Sequence, residues 1–291
     1  MDIFEKIITQ DRGKDIMKTI GLLFALGLSI APSVALCKTE VANSMQAVQS
    51  IFEQSTGETL GLFDIDMVLI QTSVPAFQMA NMKEHKAALK ALLEPLSPLE
   101  KDMTLMLTLR QGHAILVEPQ TPGILNNIRQ HQNKLIAFTS TLTGQWGDIN
   151  DGIAFRAKQL KSVDIDFSAS FPLTKPLIFN QIKPYRNQHP EFKQGILAAN
   201  GEQKGAALIA FLQKIDYKPN TIIFVDDREK NIQDVEKSLS QYNAKIKFIG
   251  IIYKGAERYP SERIDETSFK KAWVEKIQQA KETVELEDIE N

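Results

Sequence analysis

A single cysteine, Cys37, stands in 291 residues, which excludes an internal disulfide framework and any multi-cysteine zinc site. Histidine is almost as scarce. His85, His113, His131 and His189 are the four in the chain, and none stands at metal-ligand spacing from another, so each reads as a surface or packing residue. Excess charge is missing too: 34 basic against 36 acidic side chains leave a net charge of -2, with no global attraction for nucleic acid or an anionic membrane. No internal repeat is present. With 43% hydrophobic and 24% charged residues, the chain is long enough to bury a sizeable core, as one large domain or as a core with an insertion.

Charge is absent altogether between Lys18 and Lys38. Ile20 to Val34 is a nearly continuous apolar run, and Ser33-x-Ala35 places small residues where a signal peptidase reads them. The stretch from about Met17 to Ala35 therefore reads as a secretory signal peptide, preceded by an upstream extension over residues 1–16. The run falls short of the roughly 20 apolar residues that span a bilayer, so cleavage is expected and stable membrane association is not. Leu36 is bulky at the position before Cys37, which argues against lipidation there. The expected mature chain, residues 38–291, is periplasmic or secreted.

Beyond residue 38 helical and strand patterns alternate. Val41 to Gln54 reads as a helix, Leu60 to Phe63 as a short buried strand, and Pro75 to Leu93 and Pro98 to Leu109 as helices. A helix over Ile124 to His131 precedes a buried strand from Lys134 to Ser140; a long mixed stretch from Thr141 to Asn200 with Pro172, Pro176, Pro184 and Pro190 follows, an insertion expected to carry short strands such as Pro176 to Asn180. Lys204 to Ile215 is amphipathic, with Leu208, Phe211, Leu212 and Ile215 on one helical face. Thr221 to Val225 and Ile246 to Tyr253 are strands around a helix from Arg228 to Leu239, and Lys270 to Asn291 reads as a charged, solvated helix. Alternation of this kind predicts an α/β fold, a mainly parallel sheet covered by helices on both faces.

The polar residues gather at one edge of that sheet. Three apolar runs end in Asp64-x-Asp66, Thr139-Ser140 and Asp226-Asp227, and ligands of open parallel sheets bind outside the carboxyl ends of the strands. Taken singly, each has an ordinary structural use: Asp-x-Asp in a turn, Asp226 as a helix cap, Thr139 at a strand end, Lys204 as a solvated lysine. Asp64 and Asp66 stand at i and i+2, on one face of an extended chain, and two such carboxylates repel unless a cation or proton lies between them. With Lys204 opening its helix just after Asn200-Gly201, the set makes a site for a divalent cation and a phosphoryl group.

The ordered set of Asp-x-Asp-x-Val, strand-terminal Thr, Lys before a helix and strand-terminal Asp-Asp resembles the four motifs of the haloacid dehalogenase superfamily. The motifs are spread from Asp64 to Asp227. Within it, the Phe-Asp-Ile-Asp start and the export signal are similar to the secreted acid phosphatases, and more so to a bacterial family of exported proteins with no assigned function. The resemblance implies a Rossmann-like core and a Mg2+-dependent phosphatase acting on a small-molecule phosphate monoester. It implies Asp64 as nucleophile and Asp66 as general acid and base. It further implies Thr139 or Ser140 and Lys204 as phosphate ligands, and Asp64, the Asp66 carbonyl, Asp226 and Asp227 around Mg2+. On this reading, loss of Lys204 slows turnover without unfolding the chain.

Rival readings differ in specific ways. A dehalogenase needs no acid for an alcohol leaving group, so Asp66 favours phosphate esters; a response-regulator receiver has its acidic pair first in sequence, whereas Asp226-Asp227 comes last. The non-enzymatic alternative is an exported scaffold that binds a host or envelope protein partner. Specificity in the superfamily resembles a property of inserted caps, and two segments are candidates. Residues 72–112 form a helical one with Phe77, Met79 and Met82 as an apolar lining, and residues 144–194 form another with Trp146, Arg156, Tyr185 and Arg186 available to grip a leaving group.

Overall fold

The computed structural model describes residues 37–146, 149–201, 203–259 and 261–290; the expected signal peptide lies outside them. In chain order the strands are β1 (Cys37–Ala42), β2 (Thr59–Phe63), β3 (Ile70–Thr72), β4 (Ala114–Leu116), β5 (Lys134–Thr139), β6 (Leu177–Ile178), β7 (Glu191–Lys193), β8 (Ile196–Ala198), β9 (Thr221–Asp226) and β10 (Lys247–Tyr253). The helices are α1 (Met45–Glu53), α2 (Met79–Glu84), α3 (Lys86–Leu93), α4 (Pro98–Arg110), α5 (Thr121–Gln130), α6 (Gly152–Lys161), α7 (Lys204–Lys214), α8 (Glu229–Tyr242), α9 (Gly255–Arg258) and α10 (Glu266–Glu290).

Eight strands form one sheet in the order β1-β10-β9-β2-β5-β8-β7-β6. The six from β1 to β8 run parallel, and β7 and β6 extend the sheet antiparallel at one edge. Residues alternate between the two faces along each central strand, as the pleat requires. Phe63, Leu135, Ala137, Ile223 and Val225 pack on one side with Val48 and Phe52 of α1, Leu125 of α5 and Ile153 of α6. Leu62, Ile136, Phe138, Ile222 and Phe224 pack on the other with Leu208 and Phe211 of α7 and Val235 of α8. Burial on both faces is why these strands are continuously apolar in sequence. The α/β architecture with a mostly parallel central sheet is thus as expected.

Several local expectations are corrected. Val41 and Ala42 belong to β1, an edge strand, and the first helix starts only at Met45, where Ser44 accepts the Ala47 N–H at 3.2 Å. The short strand expected over Pro176 to Asn180 is present as β6, but the stretch before Asn200 is no separate insertion: β7 and β8 lie in it too, with β8 beside β5 in the parallel part of the sheet. The carboxy-terminal helix is not merely solvated: Phe269, Trp273, Ile277 and Ala280 of α10 are buried. Their spacing makes one stripe along the helix.

Residues 72–112 loop out between the arms of a second, two-stranded sheet, in which Ile70 faces Leu116 and Thr72 faces Ala114. Pro75–Phe77 is a 3-10 turn, and α4 starts in a capping box: Ser97 accepts the Glu100 N–H while the Glu100 carboxylate accepts the Ser97 N–H at 2.7 Å. Phe77 meets Trp273 edge to face at 5.3 Å, and the Trp273 indole donates to the Ala76 carbonyl at 3.0 Å. Residues 144–194 are arranged otherwise. Within them α6 lies in the core and β6 and β7 continue the main sheet. Among the described residues, no helix is long and apolar enough to cross a membrane.

Candidate functional site

The order of the sheet marks the place where a site is expected. From β2 the chain moves outward one way through β5 and β8, whereas β9 and β10 lie on the other side of β2, so β2 and β9 flank a switch point whose carboxyl end opens a crevice. Asp64 directly follows β2, and its backbone N–H is tied to the Val225 carbonyl at 2.9 Å. Asp226 ends β9, Asp227 follows it, and Thr139 ends β5.

Lys204, the first residue of α7, is 1% exposed. Its ammonium lies 3.0 Å from Asp64 Oδ1 and 2.6 Å from Asp226 Oδ2, and donates to the Phe138 carbonyl at 2.9 Å. The rings of Phe138 and Phe224 flank it at 5.3 and 5.1 Å. A strongly hydrated ammonium is placed here only because two carboxylates, a carbonyl and two aromatic faces replace its water. The start of α7 is itself anchored, by Asp234 of α8 accepting the Gly205 N–H at 2.6 Å.

Negative charge nevertheless exceeds positive at this edge. One carboxylate oxygen each from Asp64, Asp226 and Asp227 lies within 4.8 Å of the others. Burial pushes Asp64 well above the usual carboxylate range; Lys204 pulls it down, and Asp226, Asp66 and Asp227 raise it again. Burial and then Asp226 push Asp227 up to about 7. Burial also pulls Lys204 down, but Asp226 and Asp64 outweigh it and its affinity for the proton rises. Three convergent carboxylates form a hard oxygen donor set that could hold a metal ion.

Asp66 is placed differently from its neighbour. After Asp64 the chain turns sharply: Ile70 N–H donates to the Ile65 carbonyl at 3.0 Å, Met67 N–H to the Ile70 carbonyl at 2.9 Å, and Met67 adopts φ of 60°. The turn directs the Asp66 carboxylate to Arg156 of α6, which donates from Nη2 to Asp66 Oδ1. That carboxylate is not one of the three convergent ones. At the next strand end the buried Thr139 hydroxyl accepts the Thr141 N–H at 3.2 Å and lies 3.0 Å from the Thr141 hydroxyl. Ser140 is half-buried, and its carbonyl accepts the Gly201 N–H at 3.1 Å.

Two residues of this constellation hold partners that a reading of motifs does not supply. Asn231 of α8 donates to both carboxylate oxygens of Asp226 at 3.0 Å, while Arg228 N–H donates to Oδ1 at 2.8 Å. Its signal is a polar residue in the buried stripe formed with Val235 and Leu239. Arg156 interrupts the buried stripe of Ile153, Ala157 and Leu160 in the same way, and a buried arginine demands an acidic partner. It does not stand free to grip a leaving group. Trp146 is likewise buried, edge-on to Phe155 at 5.9 Å, and Tyr185 donates its hydroxyl to Asp102 of α4 at 2.6 Å.

The chain is similar to an uncharacterized protein of Rickettsia bellii, with 25% identity over 79% of this chain and 82% of the relative. An uncharacterized Rickettsia conorii protein shares 27% over 79% and 81%, and one from Rickettsia typhi shares 32% over 47% of each chain. Residues 41–286 match one protein family along their whole extent. That span holds the acids, Thr139 and Lys204, and the chain belongs to the family described as "Protein of unknown function (DUF2608)".

Proposed function

We propose that the chain is a Mg2+-dependent phosphatase of the haloacid dehalogenase type, hydrolysing a small-molecule phosphate monoester through an aspartyl phosphate on Asp64. The observation that carries this reading is Lys204, held between Asp64 at 3.0 Å and Asp226 at 2.6 Å, at a strand edge where Asp227 converges with both.

Asp64, Asp226 and Asp227 would hold Mg2+ with the Asp66 backbone carbonyl, and the ion when bound supplies charge neutralisation at the transferring phosphoryl group. In the first half-reaction a carboxylate oxygen of Asp64 attacks phosphorus. The new Asp64–phosphorus bond forms as the ester P–O bond breaks, and Asp66 gives its proton to the departing oxygen. In the second, Asp66 takes a proton from water as that water attacks phosphorus, releasing phosphate and restoring the Asp64 carboxylate. Lys204 neutralises a phosphoryl oxygen, and the Thr139 or Ser140 hydroxyl donates to another; each such contact contributes a few kcal/mol to the transition state.

Export belongs to the same proposal: the apolar run from Ile20 to Val34 and the small residues Ser33 and Ala35 support a cleaved signal and a periplasmic or secreted mature chain. The test is hydrolysis of p-nitrophenyl phosphate with and without Mg2+. Activity is expected only with the ion, and Asp64→Asn should lower it at least about a thousandfold. Metal-dependent turnover that survives Asp64→Asn would sink the mechanism, and inactivity on all phosphate esters would favour a role in binding a host or envelope protein.

A further inference from the structure

We propose that Arg156 is a positioning residue for Asp66, fixing the carboxylate that exchanges protons with the leaving group and linking its position to the 72–112 insertion. This rests on the phosphatase reading of Asp66.

The argument starts from burial. Arg156 is 1% exposed, at the centre of the α6 face that packs against the sheet, and a guanidinium cannot shed its charge to suit an apolar site. Its fork is divided between two partners. Nη2 donates to Asp66 Oδ1, and Nη1 donates to Gln159 Oε1 at 2.5 Å. Gln159 lies one turn further along α6, and its amide donates in turn to the Leu109 carbonyl at 2.9 Å, near the end of α4. Asp66, Arg156, Gln159 and Leu109 thus form a continuous hydrogen-bonded chain from the turn after the nucleophile to the last turn of the inserted helices.

Each link limits rotation. An aspartate on a turn, with 28% of its side chain exposed, would otherwise sample several rotamers, whereas proton transfer requires one position within hydrogen-bond reach of the reacting oxygen. Arg156 holds Asp66 by Oδ1, and among the described residues Oδ2 carries no hydrogen bond. The pair therefore presents one defined oxygen for proton exchange. A guanidinium serves two acceptors at fixed angles, and a lysine ammonium at the same place cannot reproduce that fork. The consequence is selective: an alkoxide needs the proton in order to leave, and p-nitrophenolate hardly does.

The experiment compares kcat and KM of the wild type, Arg156→Met and Arg156→Lys on ethyl phosphate and p-nitrophenyl phosphate with Mg2+. Arg156→Met should lose kcat on ethyl phosphate by about ten-fold more than on p-nitrophenyl phosphate, with KM changing by less than about two-fold. Arg156→Lys should show the same selectivity to a smaller degree, and Asp66→Asn with Arg156→Met should be no slower than Asp66→Asn alone. Equal losses on the two esters, a change confined to KM, or additive losses in the double variant would overturn the proposal. If thermal melting shows that Arg156→Met does not fold, Arg156→Lys decides by the same criterion. A wild type that hydrolyses neither ester removes the phosphatase reading and this inference together; an active wild type with unselective variants removes this inference alone.

Discussion

Lys204 is the side chain on which folding and the proposed chemistry converge. A solvated lysine would be dispensable for stability, but this one neutralises two buried carboxylates, and removing one partner from a buried ion pair costs about 3–5 kcal/mol. Lys204→Met is therefore expected to lower the denaturation free energy by about that amount at neutral pH and, on the phosphatase proposal, to slow turnover as well. The deficit should shrink in acid, as Asp64 takes up a proton, and chemical denaturation at two pH values measures it. Asp227 gives a second expectation, with its affinity raised from 3.8 to about 7 by burial and by Asp226. Between those values the folded chain retains a proton that the unfolded chain has released, so stability falls as pH rises from about 4 to about 7. At the proposed metal site Mg2+ would compete with that proton. Thermal melts should show the ion's stabilising effect growing across the same window, and Asp227→Asn should flatten both trends.

At the scale of elements, the approach of α7 to α8 sets where Lys204 begins. Gly205 has no room for a side chain: an added Cβ would strike Ser238 and lie 2.7 Å from the Asp234 carbonyl oxygen. Overpacking of this kind costs about 1–3 kcal/mol, and, on the phosphatase proposal, Gly205→Ala should also reduce kcat, because the helix that must yield carries Lys204. Denaturation together with turnover on p-nitrophenyl phosphate checks both effects. The elements easiest to read from sequence were those buried on both faces. The runs in β2, β5, β9 and β10 are continuously apolar because helices cover each side, and their polar ends then located Asp64, Thr139 and Asp226. β1 escaped because an edge strand reading Cys-Lys-Thr-Glu-Val-Ala satisfies no burial pattern, and β8 because three residues after Gly195 are too short to signal anything. Asn231 was illegible as a site residue, and Arg156 was read only as a grip on a leaving group, for another reason. Their roles come from partners that the fold supplies, for Arg156 across 90 positions of sequence.

Across the whole molecule, α10 is what holds the 72–112 insertion in one arrangement. Phe269 and Trp273 fill the cluster with Ala76 and Phe77, and Leu89, Leu92 and Leu93 of the insertion pack around it. Trp273→Ala should cost about 3–5 kcal/mol, and hydrogen exchange should accelerate in α3 and α4 while β5 and β9 stay protected. The central sheet has a different long-range dependence. β1 pairs along its full length with β10, Cys37 beside Phe248 and Ala42 beside Tyr253. The sheet is therefore completed only when its earliest strand meets its latest, and a topology rich in such distant pairings folds slowly. A ribosome releasing residues in order cannot finish this sheet before Tyr253 has emerged, so the nascent chain stays incompletely folded until most of its length has been made.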